Sequence, residues 1–265
     1  MVQLTNQSAD YQRRDKEHYD QLKPEIRERF KRQAKQIVMW LDKEYKLSTH
    51  KILLHRISDA EGRTGDVADL RISFGKHEIA LSLKNNHEAL KHPRPPSVAQ
   101  WIGIPKNEDA DVKYRKAFEE IRLKFFSRAN QIAPGATLFR EVKIRDKNII
   151  NNLLYKPVCE LVILFLTEQC KSKGAPQNLF KFLVSQNYYK IICNSLGVEI
   201  FPFFDIKLPT SVTFQIEKKS YICMQFSNGW QIKMRLHNAE DKLTSSLKFD
   251  AQLTEPKKLL RHFIL

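Results

Sequence analysis

The sequence predicts an α+β protein with a central mixed β-sheet, flanking helices, a helical middle and a strand-rich C-terminal region. Before residue 46, apolar residues recur at spacings of three and four, which is the period of an amphipathic helix. Short apolar runs follow over residues 52–84, and period-two alternation dominates after residue 198. With 265 residues and a hydrophobic content of 42%, the chain can bury a sizeable core.

Three consecutive regions are predicted, which could also form one continuous domain. The first, residues 1–135, contains a charged helical N-terminus, in which Pro24 opens a helix, followed by the strands of the core. The second, residues 136–197, is helical, and Gly197 is expected to cap a helix over residues 179–196.

The third region, residues 198–265, is predicted to form one antiparallel sheet of short strands. Asn228-Gly229 is the strongest hairpin signal in the chain. In the strand that follows, Lys233, Arg235 and His237 alternate with apolar residues and therefore share one polar face.

The charge balance favours a polyanionic partner. Lys and Arg number 45 against 30 Asp and Glu, so the formal net charge is +15. Neutralising phosphates releases counterions and drives binding. A basic chain also fits ribosomal, RNA-binding and membrane-surface proteins, so the charge narrows the class without choosing a member.

Cysteine usage and hydropathy predict a cytoplasmic protein without a membrane partner. The four cysteines form no C-x₂-C pair, which argues against a zinc site and a disulfide framework. The N-terminus has no basic stretch followed by an apolar run. The most apolar run, residues 158–166, is too short to span a bilayer.

Two strands within residues 65–84 carry the residues that point to chemistry. They are predicted to form a β-hairpin with Asp69 on the first strand and Lys84 on the second. The period of two puts Ser82 and Glu78 on the same face as Lys84. A carboxylate and a lysine side by side on a rigid sheet suit metal-assisted phosphodiester cleavage. The alternative is a solvated ion pair without function.

The residues around this hairpin resemble a known family. The pattern starts as Gly-Asp-Val-x-Asp over residues 65–69 and continues as Glu-Ile-x-Leu-Ser-x-Lys-x-Asn-His-x-Ala-x-Lys-His-x-Arg over residues 78–94. It is similar to the core of HaeIII-type restriction endonucleases, which belong to the PD-(D/E)xK nuclease class. A second patch, residues 228–250, resembles the C-terminal block of the same family.

The resemblance implies a type II restriction enzyme that hydrolyses double-stranded DNA with Mg²⁺. It implies a short GC-rich palindrome as the recognition site, with GGCC the first candidate. It also implies the cytoplasm of a bacterium and a cognate DNA methyltransferase that protects host DNA. The oligomeric state stays open between a monomer and a homodimer.

The resemblance also assigns the catalytic residues. Asp69 and Lys84 are the motif acid and lysine, and Asp66, which also matches the pattern, is a candidate metal ligand beside Asp69. Further positions that match the pattern, with less defined roles, are Glu78, Ser82, Asn86 and His87. His87 could orient another residue, donate a proton to the leaving oxygen, or be structural.

One position departs from the family pattern. A standard (D/E)xK element has a carboxylate where this chain has Ser82, and a hydroxyl is a far poorer Mg²⁺ ligand. Glu78 lies six residues from Lys84, roughly 20 Å along a straight strand, so it cannot share a metal with Lys84 unless the strand bends sharply. The candidates for the missing acid are Asp66, Glu88, Glu25 and Glu28.

Two further groups are candidates for DNA contact. The first is the proline-rich loop after the hairpin, which carries Lys91, His92 and Arg94 and which could also be an ordinary basic turn. The second is the polar face of the C-terminal hairpin, which could also be the solvated side of a half-buried strand. Its candidates, with Asn86 from the first hairpin, are Lys233, Arg235, His237, Asn238 and Lys248.

Two other functions remain to be tested. A non-catalytic basic nucleic-acid-binding protein would share the charge but not the dependence on metal. An HNH-type metal nuclease would explain the His-Asn cluster, but the ligand histidines at a ββα spacing are missing.

Overall fold

The structure of the protein is a computed structural model. It contains two structural units, and each unit is built around one β-sheet. The model describes residues 2–58, 67–86, 89–244, 246–255 and 263–264. The first unit contains the described residues of Met1–Glu88, Ser185–Ile206 and Leu259–Leu265, and the second those of Ala89–Val184 and Lys207–Lys258.

The described elements are numbered in chain order. The strands are β1 (Val2–Leu4), β2 (Ile52–Arg56), β3 (Leu70–Phe74), β4 (His77–Asn85), β5 (Ala89–Lys91), β6 (Tyr188–Cys193), β7 (Val198–Phe203), β8 (Val212–Glu217), β9 (Tyr221–Phe226), β10 (Gln231–Asn238), β11 (Leu247–Glu255) and β12 (Phe263–Ile264). The helices are α1 (Asn6–Asp20), α2 (Pro24–Tyr45), α3 (Val98–Trp101), α4 (Asp109–Ile132), α5 (Phe139–Arg145), α6 (Lys156–Gln169) and α7 (Ala175–Val184).

The first unit is built on a mixed seven-stranded sheet in the order β1-β2-β3-β4-β6-β7-β12. Strands β3 and β4 form the predicted hairpin, which turns at Gly75 with a φ of +55° that suits glycine. Strand β4 pairs in parallel with β6, so it lies inside the sheet rather than at its edge. The predicted central mixed sheet with flanking helices is confirmed.

Helix α2 covers this sheet with its apolar side. Trp40 and Leu41 are buried against Ile72, Leu81 and Ile200 of the sheet. The helix begins at Pro24, as predicted, and ends where Lys46 takes a left-handed conformation. The hairpin strands are therefore fixed on their apolar side by a continuous core.

The second unit is built on a five-stranded antiparallel sheet in the order β5-β11-β10-β9-β8. The Asn228-Gly229 hairpin is confirmed between β9 and β10. On β10 the apolar side chains are buried, as with Ile232, whereas Arg235 on the opposite face is exposed. The sheet thus has one apolar face and one polar, cation-bearing face.

The predicted helix over residues 179–196 is wrong. Helix α7 ends at Val184, where Ser185 and Asn187 follow with φ of +60° and +63°. The residues after them are aromatic and β-branched and form β6. Tyr188 of this strand is buried in the core. Gly197 belongs to the β6–β7 turn rather than to a helix end.

The prediction of one antiparallel sheet after residue 198 also needs correction. Strand β7 pairs with β6 and belongs to the seven-stranded sheet, whereas β8 to β11 form the other sheet. That second sheet recruits β5 from the proline-rich segment, where Pro95–Ser97 forms a 3₁₀ turn rather than extended chain. The three predicted consecutive regions therefore do not coincide with the two units, because long-range strand pairing groups residues from both ends of the chain.

Within the described part of the chain, no helix combines the length and the apolar character needed to cross a membrane.

Candidate active site

Asp69 stands at the start of β3, where the sheet holds its backbone on both sides. Its N–H donates to the carbonyl of Leu81 on β4 at 2.7 Å, and its carbonyl accepts from the N–H of Ile57 at 3.0 Å. These bonds extend the sheet by one residue beyond β3. The position of the Asp69 side chain is therefore set by the ladder rather than by a loop.

The carboxylate of Asp69 is bound to β4 through one oxygen. Oδ2 accepts a hydrogen bond from the backbone N–H of Leu83 at 2.6 Å and another from the hydroxyl of Ser82 at 3.3 Å. Lys84 Nζ lies 3.7 Å from the same oxygen. Oδ1 has no hydrogen-bond partner among the described residues, and the side chain is 48% exposed.

Lys84 is the more protected member of this pair. Its side chain is only 19% exposed, because it projects from the interior strand β4. An ion pair shielded in this way is less screened by water than a surface pair. The structure thus brings together the acid and the lysine that the sequence singled out.

Ser82 supports the carboxylate from below. It is 2% exposed and its hydroxyl proton points to Asp69, so it acts here as a hydrogen-bond donor. In the parallel pairing of β4 with β6, Ser82 is in register with Lys190, which is itself 5% exposed. Paired residues share a face of the sheet.

Lys190 was missed by sequence reasoning because its segment was interpreted as helix. The aromatic and β-branched residues of Tyr-Tyr-Lys-Ile-Ile-Cys were the strand signal that could have found it. Lys190 thus places a buried lysine side chain on the same sheet face as Ser82, beside the candidate site.

Glu78 is separated from this group. It forms an ion pair with Arg71 of β3, although the residue directly across the hairpin from it is Ser73, near the turn. This ion pair gives Glu78 a structural partner at the opposite end of β4 from Lys84.

Of four further predicted site residues, one lies within the described part of the chain. Asp66, His87 and Glu88 lie outside the described residues. Asn86 directly follows β4 with a φ of +57°, and its N–H donates to the carbonyl of Cys193 at 2.8 Å. Asparagine tolerates this left-handed conformation better than most residues.

The helical carboxylates proposed as the missing ligand are both exposed on α2. Glu28 pairs with Lys31 at 2.8 Å, and Glu25 lies in the first turn of the helix. Among the residues that the structure describes, no group of three His, Cys, Asp or Glu side chains could hold a metal ion.

A divalent cation nevertheless fits the chemistry of Asp69. Mg²⁺ takes one or two carboxylate oxygens and completes its shell with water and phosphate oxygens. The Asp69 side chain is half-exposed, and its Oδ1 accepts no hydrogen bond from a described donor. The residue is suited to be one ligand of such an ion.

The basic residues of the second unit differ in the protein partners that they bind. Lys91 lies with Nζ 4.0 Å from the centre of the Phe182 ring, and burial lowers its pKa. Lys233 pairs with Glu217. Arg94 donates to the Ser246 hydroxyl at 2.9 Å.

Two histidines share one carboxylate on the sheet. His92 Nδ1 lies 2.6 Å from Asp250 Oδ1, and His237 Nε2 lies 2.8 Å from Asp250 Oδ2. His237 Nδ1 also lies 2.8 Å from the carbonyl of Asn238. Since a carbonyl can only accept, His237 Nδ1 donates this hydrogen bond, while its Nε2 faces the Asp250 carboxylate.

Arg235 contrasts with these neighbours. It is exposed, and within the described chain its guanidinium has no ion pair. Asn238 is held by the hydroxyl of Tyr155 at 2.9 Å, and Lys248 is half-buried opposite His237. Arg235 is thus the predicted DNA-contacting residue on β10 whose charge is most available to a ligand.

Comparison with known proteins identifies the enzyme class. The model of the HaeIII restriction endonuclease family matches residues 1–207 and 198–256. The chain is 24% identical over 231 residues to the type II restriction enzyme HaeIII of Haemophilus aegyptius, which covers 74% of this chain and 68% of that protein. No solved structure matches the chain significantly.

The protein is a type II site-specific deoxyribonuclease. The chain belongs to the HaeIII restriction endonuclease family. Its substrate is therefore DNA, and enzymes of this type generally need a divalent metal. The alternative of a non-catalytic nucleic-acid-binding protein is not retained.

Replacing Asp250 with asparagine should destabilise the protein in a pH-dependent way. Burial alone would raise the pKa of Asp250, but its hydrogen bonds and charge interactions with His237 and His92 lower it below the ordinary 3.8. The stabilisation is therefore present above pH 3.8 and is lost as the pH falls through the lower folded-state pKa. We expect a loss of about 1 kcal/mol at pH 6, discounted for partial exposure.

Urea unfolding at pH 6 and pH 3 measures this effect, with Glu120→Gln as the control because Glu120 is an exposed carboxylate on α4. The difference between wild type and Asp250→Asn should shrink at pH 3. An equal difference at both pH values would contradict the account of this cluster.

Proposed function

We propose that the chain is a Mg²⁺-dependent restriction endonuclease of the PD-(D/E)xK class that cuts a short GC-rich palindrome, with GGCC the first candidate. The observation that carries the proposal is the contact of Asp69 with Ser82, Leu83 and Lys84 on an interior strand. The family membership supports the reaction, and the DNA sequence and the choice of Mg²⁺ are inferences from the resemblance.

Asp69 and Asp66 would hold the metal ion. When bound, Mg²⁺ polarises the scissile phosphate and lowers the pKa of a coordinated water molecule. The chain contributes the position of the Asp69 carboxylate, because the Leu83 N–H and the Ser82 hydroxyl prevent Oδ2 from rotating away. This preorganisation avoids reorganisation during the reaction.

Lys84 would orient the attacking water and offset negative charge on the phosphate. Its Nζ is 3.7 Å from Asp69 Oδ2. The Lys84 ammonium group could therefore contact a molecule bound at Asp69 and still stay beside the Asp69 carboxylate. The departing 3′ oxygen needs a proton, and His87 remains a candidate donor beside its structural and orienting alternatives. Glu78 keeps only a supporting role in this scheme, as the partner of Arg71.

Sequence reading is proposed for the polar face of the second sheet. Arg235 is the main candidate because its guanidinium is free to make a bidentate pair with guanine O6 and N7. Supporting contacts to neighbouring bases or phosphates are proposed for Asn86, Lys91, His92, Arg94, Lys233, His237, Asn238 and Lys248. The residues of this group that already bind protein partners would act mainly by stabilising the conformation of the DNA-binding surface.

Two partners follow from the proposal. A two-fold symmetric DNA site matches a homodimer, in which each copy reads one half of the palindrome. A cognate DNA methyltransferase would modify the same sequence and protect host DNA.

Asp69→Ala and Lys84→Ala should each reduce cleavage at least about a hundredfold while DNA binding is largely kept, because both act on the reacting phosphate. Ser82→Ala should cost only about fivefold, since the 2.6 Å bond from Leu83 still holds the carboxylate. Lys76→Ala, an exposed lysine in the turn of the same hairpin, is the matched control.

Cleavage is measured on labelled duplex with Mg²⁺, and binding on the same duplex in Ca²⁺. Near wild-type cleavage by Asp69→Ala or Lys84→Ala would overturn the active site. A loss in Ser82→Ala as large as in Asp69→Ala would show that the serine does more than orient the carboxylate.

Arg235→Ala should weaken binding to the cognate site by roughly 1–3 kcal/mol and leave binding to random duplex nearly unchanged. Titrations with both duplexes at two salt concentrations measure the specificity ratio. If affinity falls equally on both duplexes and the salt slope becomes shallower, Arg235 is a phosphate contact, and sequence reading moves to the Lys91–Arg94 loop.

A further inference from the structure

An open cleft of about 430 Å³ lies in the second unit, beside helix α5 and strands β9 and β10. Arg140, Lys143 and Lys147 line it from α5 and the turn that follows, and Arg235 lines it from β10. Among the described lining residues, Asp241 is the only carboxylate. Cations therefore dominate this surface.

The four cations are exposed and are not neutralised by protein partners. None of them forms an ion pair within the described ranges of the chain. Elsewhere in the same unit, comparable lysines are paired, as Lys156 is with Glu160 and Lys171 with Glu168. Clustered charges of one sign raise the local potential and attract anions.

The acids next in sequence are committed to the backbone. Glu141 Oε2 accepts from the N–H groups of Leu138 at 3.0 Å and Thr137 at 2.7 Å, and these bonds lower its pKa. Asp146 Oδ1 accepts from the N–H of Asn148 at 2.8 Å. Both carboxylates stabilise the ends of α5 and leave the cations of the cleft available.

The sheet side of the cleft is hydrogen-bonded to the segment before α6. Tyr155 is largely buried and its hydroxyl bonds to Asn238, which ties the segment before α6 to β10. Burial raises the pKa of Tyr155, and the nearby positive charge of Arg235 opposes that rise. Arg235 thus lines the cleft from strand β10, whereas the other cations line it from α5 and the turn that follows.

We propose that this cleft binds successive phosphates of one DNA strand, with Arg140, Lys143 and Lys147 as backbone contacts beside the proposed base contact of Arg235. The inference rests on the proposed function and adds a binding site to it. Arg140 and Lys143 are one helical turn apart, so their Cβ atoms are about 5–6 Å from each other. Spaced, flexible and exposed cations suit a charged polymer, whereas small ligands are usually enclosed.

The test compares two double variants that remove the same charge. Arg140→Ala/Lys143→Ala removes the two cations of α5 that line the cleft. Lys116→Ala/Lys124→Ala removes two exposed lysines of α4 that do not line the cleft. Affinity is measured for cognate and random duplexes between 50 and 200 mM salt, with Ca²⁺ in place of Mg²⁺. Each lost phosphate contact should lower the slope of log affinity against log salt by about 0.9.

For Arg140→Ala/Lys143→Ala we expect a slope shallower by about two and an affinity at least about tenfold lower on both duplexes. The specificity ratio should stay the same, unlike in Arg235→Ala. The α4 double variant should keep the wild-type slope. An unchanged slope in the helix variant, or an equal change in both variants, would overturn the proposal.

Lysine acylation followed by mass spectrometry tests the wild-type protein directly. Duplex DNA should protect Lys143 and Lys147 but not Lys116 and Lys124. Failure of protection would overturn the proposal, as would equal protection by inorganic phosphate, which would indicate a site for small anions.

Measurements on the wild-type protein distinguish a failure of the proposed function from a failure of the cleft proposal alone. If it neither binds nor cuts duplex DNA, the proposed function fails and the cleft proposal fails with it. If it binds and cuts DNA while Lys143 and Lys147 stay unprotected, only the cleft proposal fails.

Discussion

The hydrogen bond from the Leu83 N–H to Asp69 Oδ2, at 2.6 Å, links the sheet to the chemistry of the site. It requires β4 to lie beside the start of β3, and that register is set by the hairpin and by the core under α2. Ser82 and Lys84 contact the same oxygen from the same strand. A slip of one residue would turn Ser82 and Lys84 to the opposite face and dismantle the group.

In the second unit, protein contacts limit the repulsion among basic side chains. Its sheet carries many basic residues, yet most are held by partners, as Lys233 is by Glu217 and His92 by Asp250. These contacts limit repulsion and fix the shape of the polar face. Arg235 and the cations that line the cleft beside α5 form no ion pair among the described residues, so several unpaired cations lie together on one surface.

Much of this arrangement could be predicted from the sequence because local signals were strong. Period-two alternation predicts β3, β4 and the strands from Val212 onward, and Asn228-Gly229 predicts the β9–β10 turn. Asp69 and Lys84 follow from their positions on the hairpin. Which base Arg235 would read does not follow, because that depends on the DNA.

The failures have a common physical cause, which is long-range pairing. Strand β6 was interpreted as helix because Ser185 and Asn187, whose positive φ values end α7, give a weaker breaking signal than Gly or Pro. Lys190 was lost with it. The pairing of β6 with β4 joins residues about a hundred positions apart, and no local pattern encodes that contact.

Cleavage of plasmid DNA with and without chelator tests the central claim most directly. The protein is incubated with plasmid and Mg²⁺, or with Mg²⁺ and excess EDTA, and all ends are sequenced. The account predicts cleavage only with free Mg²⁺ and ends that fall at one short palindrome, GGCC being the first candidate. Cleavage that persists in EDTA, or ends scattered over unrelated sequences, would contradict it.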